Sequence, residues 1–157
     1  NTGMFYKRRD YSTVVNGKNP IVAHEFLGDS VDGKDVIIID DMISSGESML
    51  DTSRQLKEMN ARRVFICCTF GLFTNGLKAF DEAYEKGWFD RVITTNLTYQ
   101  PPELYSRPYY TVADMSKFLA SIIDFMNHDV SMYHVMTPTE KINEVLAKYN
   151  RRDEYKL

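Results

Sequence analysis

Asp40 and Asp41 follow four apolar residues, Val36 to Ile39, and lead within a few positions to Ser44, Ser45, Gly46, Glu47 and Ser48. Ionised carboxylates accept hydrogen bonds and donate none, so the pair suits ribose hydroxyls or a hydrated Mg²⁺ and repels phosphate. The serines act in the opposite sense, because hydroxyls donate, and Gly46 lets the backbone approach an anion with no Cβ in the way. The stretch therefore has a polarity, acceptors first and donors after, that fits a sugar phosphate laid along it. Taken singly, the same residues would do no more than end a strand and cap a helix.

Holding such a turn in place requires a strand before it and a helix after it. Residues 35 to 40 read as a strand whose Val36 to Ile39 are covered on both faces, and residues 47 to 60 switch to helical spacing with Met49, Leu50, Ser53, Leu56 and Met59. In an open parallel sheet that turn lies at the carboxyl edge, where ligands collect, and the helix offers backbone N–H groups and the positive end of its dipole.

The alternation continues downstream. Strand 63 to 69 precedes helix 75 to 86, which carries Leu77, Phe80, Ala83 and Tyr84 on one side and stops at Gly87. Strand 91 to 95, a proline-rich loop over 98 to 108 and a short strand over 109 to 112 follow. Helix 113 to 127 has Met115, Phe118, Leu119, Ile122, Ile123 and Met126 at core-facing intervals, and Thr137-Pro138 opens a last helix to about Tyr149. Upstream, residues 4 to 6 read as a strand end, Lys7 to Pro20 as a long loop, residues 21 to 27 as a strand and Asp32-Gly33 as a turn. Strands alternating with helices predict an α/β fold with a mainly parallel sheet.

Strand, paired aspartates, small polar turn and helix together resemble the 5-phosphoribosyl-1-pyrophosphate (PRPP) loop of the phosphoribosyltransferase and ribose-phosphate pyrophosphokinase superfamily. Three other stretches resemble the ribose-phosphate pyrophosphokinases, or PRPP synthetases, in order and spacing: Tyr6-Lys-Arg-Arg9, Val64-Phe-Ile-Cys-Cys-Thr69 and Val92-Ile-Thr-Thr-Asn96. Residues 110 to 123 resemble that family's last strand and closing helix, and Val130-Ser-Met-Tyr133 the exit that follows, so the similarity spans residues 5 to about 135. It implies a phosphoribosyltransferase-like domain over residues 1 to 150, a charged tail over 151 to 157, and an amino-terminal domain that this stretch lacks. The opening Asn1-Thr-Gly, without an initiator Met, reads the same way.

The resemblance further implies an enzyme that moves the pyrophosphoryl group of ATP to ribose 5-phosphate, giving PRPP and AMP with Mg²⁺. Lys7 and Arg9 match the catalytic residues of a mobile lid, Asp40 and Asp41 match the grip on the ribose hydroxyls, and Ser44, Ser45, Gly46, Glu47 and Ser48 match the wrap around the 5-phosphate. Asn75-Gly76, Thr69 and Asn96 fall near the same cleft. The Mg²⁺ ligands are expected mainly from substrate phosphates and the amino-terminal domain, and no residue of this chain is assigned as a metal ligand. ATP and ribose 5-phosphate are the expected partners, within a homo-oligomer, dimer or hexamer, and the fragment alone is expected to be inactive. Many synthetases have an acidic residue where Ser44 stands, and small residues are usual where Glu47 stands. A phosphoribosyltransferase that uses PRPP, and a non-catalytic regulatory paralogue, therefore stay open.

Composition narrows the classes. A chain of 157 residues, 43% hydrophobic, supports one core, and a net charge of −3 with scattered basic residues gives no footprint for nucleic acid. No run approaches the ~20 apolar residues a bilayer span needs, so no membrane partner and a cytoplasmic location are expected. Cys67 and Cys68 point to opposite faces of a strand, fit no disulfide or metal spacing, and read as reduced core residues. His24, His128 and His134 lack ligand-like companions and read as structural or surface residues.

Overall fold

The computed structural model describes residues 2–9 and 21–151. The chain divides into two compact units, Asn1–Ala113 and Asp114–Leu157. In the first, β1 (Met4–Arg9) and β2 (Ile21–Leu27) form an antiparallel pair. The chain then runs through β3 (Asp35–Ile43), α1 (Glu47–Glu58), β4 (Arg63–Gly71), α2 (Lys78–Glu85), β5 (Arg91–Thr95), a 3-10 turn over Pro102–Ser106 and β6 (Tyr110–Ala113). Strands β3, β4, β5 and β6 make one parallel sheet in that spatial order, flanked by helices, which is the α/β arrangement the sequence predicts.

Period two along the strands decides where the core sits. Val64, Ile66 and Cys68 of β4 and Val92 and Thr94 of β5 share a face on which Val64, Ile66 and Val92 have 0% exposure. Helix α1 packs against β4 and buries Met49, Leu50, Ser53 and Leu56, an i, i+1, i+4, i+7 set on one face. The Ser53 hydroxyl donates to the Met49 carbonyl at 2.9 Å, so burial leaves no polar orphan there. The helix stops at Glu58, before the expected residue 60, because Asn60 takes a left-handed φ of 63° and Ala61 N–H bonds back to the Leu56 carbonyl at 3.0 Å.

Three expectations about the strands are corrected. Ile37 and Ile39 are 61% and 82% exposed, so β3 is not covered on both faces: among the described residues it is a border strand, paired only with β4. An unbroken apolar run shows that both faces suit burial and does not say what covers them. Lys7 to Arg9 continue β1 rather than open a loop, since Lys7 pairs with His24 and Arg8 with Ala23 in the antiparallel ladder. The rest of the expected loop, residues 10 to 20, lies outside the described residues, as do residues 152 to 157 of the tail. Strand β3 also runs three residues past its expected end, with Asp40 opposite Cys68, Met42 opposite Phe70 and Ile43 opposite Gly71.

Two helices start later than their spacing predicts. Helix α2 begins at Lys78 because Phe73 and Gly76, with φ of 48° and 74°, spend the preceding residues on a turn closed by Gly76 N–H to the Phe73 carbonyl at 2.8 Å. In the second unit, α3 (Ser116–Asn127) begins where Asp114 accepts from the Ser116 N–H at 2.9 Å, satisfying an end amide. No residue of α3 is fully buried, and Leu119, Ile123 and Met126 are exposed, which corrects its core-facing reading. A short α4 (Tyr133–Met136) and the expected final helix, α5 (Thr139–Arg151), complete the unit.

An aromatic cluster backs the first unit. Phe80 meets Phe73 edge-on at 5.1 Å and Phe89 at 6.2 Å, and Phe89 meets Tyr109 edge-on at 5.3 Å. Tyr109 is 1% exposed, and its hydroxyl donates to Asp81 at 2.7 Å, while Arg107 grips both oxygens of Asp81 at 2.8 and 2.9 Å. Burial would raise the Asp81 carboxyl, but the Arg107 and Tyr109 hydrogen bonds outweigh it and hold the group below the usual carboxylate range. Burial, reinforced by the Asp81 carboxylate, pushes the Tyr109 phenol well above its ordinary value.

Both shifts link stability to pH, with opposite signs. Near pH ~4 the unfolded chain binds the Asp81 proton more readily than the folded one, so stability is lost as pH falls through that range; above pH ~10 the unfolded Tyr109 ionises first, so stability is lost as pH rises. The thermal midpoint should therefore drop on both sides, by on the order of a few degrees each. Asp81→Asn should flatten the acid limb and Tyr109→Phe the alkaline one in a pH series of melting curves. An unchanged acid limb in Asp81→Asn would exclude this linkage.

Candidate functional site

The site begins where β3 ends. Asp40 and Asp41 belong to the strand rather than to the turn, both are exposed, and the Asp41 N–H donates to Asp40 Oδ1 at 2.8 Å. Ile43, 1% exposed, anchors the strand in the core while its carbonyl accepts from the N–H groups of Leu72 and Phe73 at 2.8 and 3.3 Å. The Ser44 carbonyl accepts from Thr74 N–H at 3.0 Å. The segment after β4 is thus laced by backbone hydrogen bonds to the turn after β3, and both lie at the carboxyl edge of the sheet.

Gly46 makes the corner. Its φ of 85° is left-handed, it caps α1, and its carbonyl accepts the Leu50 N–H at 2.9 Å. A Cβ built on Gly46 would run into Cε2 and Cζ of Phe80, so backbone conformation and crowding both ask for glycine. Ser45 is half-buried with its Oγ 3.5 Å from the Glu47 N–H, whereas Ser44, Glu47 and Ser48 are exposed. Ser48 sits in the first turn of a twelve-residue helix, where amide N–H groups and the dipole favour an anion. Glu47 shares that turn, so its carboxylate competes with any anion drawn there.

Asp40 and Ser48 line one cleft of about 800 Å³ between the β1–β2 pair and the β3–α1 layer, with Met4, Phe5 and Phe26 on the opposite wall. The seven expected sugar-phosphate residues, Asp40, Asp41, Ser44, Ser45, Gly46, Glu47 and Ser48, are therefore contiguous around one strand end and helix start. Lys7 and Arg9 lie on β1, opposite His24 and Ile21, and their side chains lie outside the described part of the structure. Arg8 stands between them, paired with Ala23, and the register of the ladder shifts between Arg8 and Arg9.

The neighbouring edge is rigidly built. Thr95 Oγ1 donates to the Thr69 carbonyl at 2.6 Å, Gln100 Nε2 donates to the Gly71 carbonyl at 3.1 Å, and the Thr94 and Tyr110 hydroxyls lie 2.8 Å apart. Gly71 is hemmed in, since a Cβ there would lie 2.7 Å from Phe73 Cε2 and 2.8 Å from Thr94 Cγ2. Burial raises the thiols of Cys67 and Cys68, both free, which disfavours the nucleophilic thiolate. Among the described residues no group of three or more His, Cys, Asp or Glu could hold a metal ion. Sequence reasoning assigned Phe80 to the core and gave Phe73 and Thr74 no role; only an aromatic residue on the inner face of the next helix hinted at a partner for Gly46.

The family model described as the phosphoribosyl synthetase-associated domain matches residues 11–137. A ribose-phosphate pyrophosphokinase of Corynebacterium glutamicum is 35% identical over 121 residues, covering 77% of this chain and 35% of the relative. One from Corynebacterium efficiens is 36% identical over 120 residues, covering 76% and 34%. The crystal structure of phosphoribosylpyrophosphate synthetase from Mycobacterium smegmatis superposes with a TM-score of 0.59 at 25% identity, covering 68% of this chain and 34% of that one. The chain spans about a third of the length of these curated relatives.

Proposed function

Because the chain belongs to the phosphoribosyl synthetase-associated family, we propose that it is the ribose 5-phosphate-binding part of a ribose-phosphate pyrophosphokinase. The observation that carries this reading is the order of chemistry along one strand end: the exposed Asp40 and Asp41, the corner at Gly46, then Ser48 in the first turn of α1. Asp40 and Asp41 accept from the ribose hydroxyls, and the turn from Ser44 to Ser48 donates to the 5-phosphate. The anomeric hydroxyl oxygen then attacks the β-phosphorus of ATP and gives up its proton to solvent, a new O–Pβ bond forms, the bond from Pβ to the bridging oxygen of the α-phosphate breaks, and AMP leaves with that oxygen.

Such a transfer gains most from positioning and charge neutralisation. Lys7 and Arg9, on β1, supply cations to the transferring group. Mg²⁺, bound with the nucleotide, would neutralise the polyphosphate charge, and Asp40 and Asp41 would offer it oxygen ligands of the hard type it prefers. ATP and ribose 5-phosphate are the proposed substrates, and a dimer or hexamer the proposed assembly. A cytoplasmic location is proposed with them; among the described residues no helix is long and apolar enough to cross a membrane.

One observation favours a second reading. Glu47 puts a carboxylate in the helix turn that would meet the phosphate, and a regulatory paralogue without turnover would tolerate it. Release of AMP from ATP by the complete gene product, with ribose 5-phosphate and Mg²⁺, separates the readings. The synthetase makes AMP only when ribose 5-phosphate is present; no AMP, together with measurable ribose 5-phosphate binding, would leave the paralogue, and consumption of PRPP with a nucleobase would identify a transferase.

A further inference from the structure

The corner of the phosphate turn is fixed from outside the turn. Phe80, on α2, has 0% exposure, and its ring edge occupies the space where residue 46 would carry a Cβ. That ring cannot retreat freely, because Phe73 closes on it at 5.1 Å and Phe89 at 6.2 Å. Phe73 is itself held by its N–H bond to the Ile43 carbonyl, and Thr74 by its N–H bond to the Ser44 carbonyl. The turn is thus clamped between its own backbone and a packed aromatic wall, and close-packed interiors pass such a restraint on rather than absorb it.

The geometry points to Phe80 as a positioning residue for sugar-phosphate binding. Its ring dictates that residue 46, which holds a φ of 85°, lack a side chain, and so helps to set the shape in which the Ser44–Ser48 turn meets the 5-phosphate. This rests on the sugar-phosphate reading above, and it adds a residue that touches no substrate. It also separates two reasons for glycine at position 46. Left-handed backbone alone would penalise alanine whatever residue stood at 80, whereas crowding by the ring makes the penalty depend on Phe80.

The test uses the complete gene product and three variants, Gly46→Ala, Phe80→Leu and the double substitution. Titration calorimetry reads ribose 5-phosphate affinity, and hydrogen exchange reads the amides of residues 44 to 48. Gly46→Ala should weaken binding by about tenfold or more and speed exchange in the turn, because a clash is added to a strained φ. Leucine lacks the ring atoms that collide, so the double variant should regain roughly threefold of that loss and slow the turn's exchange again, although Phe80→Leu alone lowers the melting temperature. Affinities that multiply independently, or turn exchange no slower in the double variant than in Gly46→Ala, would overturn the role of Phe80. Failure of the unsubstituted protein to bind ribose 5-phosphate would overturn the sugar-phosphate reading, and the exchange comparison would still decide whether Phe80 fixes the Ser44–Ser48 turn.

Discussion

Replacing Lys7 or Arg9 by alanine in the complete gene product should lower kcat for PRPP formation about a thousandfold, the size of effect seen when a cation that serves the transferring phosphoryl group is removed, while the KM for ribose 5-phosphate stays within about threefold. The split follows from where charge develops. In the proposed reading ribose 5-phosphate is gripped at the end of β3 and the start of α1, so its ground-state binding would not need the cations of β1. The negative charge that Lys7 and Arg9 would meet belongs to the transferring group and grows toward the transition state, and interactions made only there are read in kcat. Arg8→Ala is the internal control: no role in the transfer is assigned to it, so steady-state kinetics should return near-unchanged values. A large rise in the KM for ribose 5-phosphate with kcat preserved would instead put these cations on the bound sugar phosphate.

Neutralising the two strand-end carboxylates should have the next largest effect and a different signature. Each charge-assisted hydrogen bond to a hydroxyl contributes roughly 1.5–3 kcal/mol, so Asp40→Asn and Asp41→Asn should each weaken ribose 5-phosphate binding by about 10- to 100-fold. Inorganic phosphate offers no ribose hydroxyls and is repelled by both carboxylates, so its affinity should hold or rise in the same variants. Calorimetric titration of the two ligands side by side measures the polarity of the site directly. Equal losses for both ligands would mean that the aspartates shape the turn as a whole and do not read the sugar. Since Asp41 N–H donates to Asp40 Oδ1, the pair shares a backbone contact, and the double variant need not show the product of the single effects.

Much of this site could be read from residue types alone, because its chemistry is local. A strand, two carboxylates, a glycine corner and a helix lie within fourteen consecutive residues, 35 to 48, and each has a short-range cause: period two, acceptor-only oxygens, positive φ and end-of-helix amides. What could not be read depends on distant partners. Nothing near Gly46 announces that Phe80, thirty-four positions on, fills the space beside it. Ile37 and Ile39 look like residues for a doubly covered strand and are exposed at a sheet border, and α3 has a regular apolar stripe that is not fully buried. Hydrophobic period tells which side of an element suits burial and is silent on what arrives to cover it. Lys7 to Arg9 were misplaced in a loop for the opposite reason: three consecutive charges look like solvated chain, and only pairing with β2 makes them strand.

The border position of β3 has a consequence for the behaviour of the material in a test tube. Among the described residues the outer edge of β3, next to Ile37 and Ile39, pairs with no other strand; such an edge is a template for stacking onto another copy, and chains commonly guard it with charge. Asp35 guards one end poorly, since Arg62 and Arg63 pair with it. The guards at the other end are Asp40 and Asp41, so the carboxylates proposed to recognise ribose also act as gatekeepers against precipitation, in a chain whose net charge of −3 gives little repulsion to spare. Selection on that dipeptide would then act through colloidal stability as well as through substrate recognition.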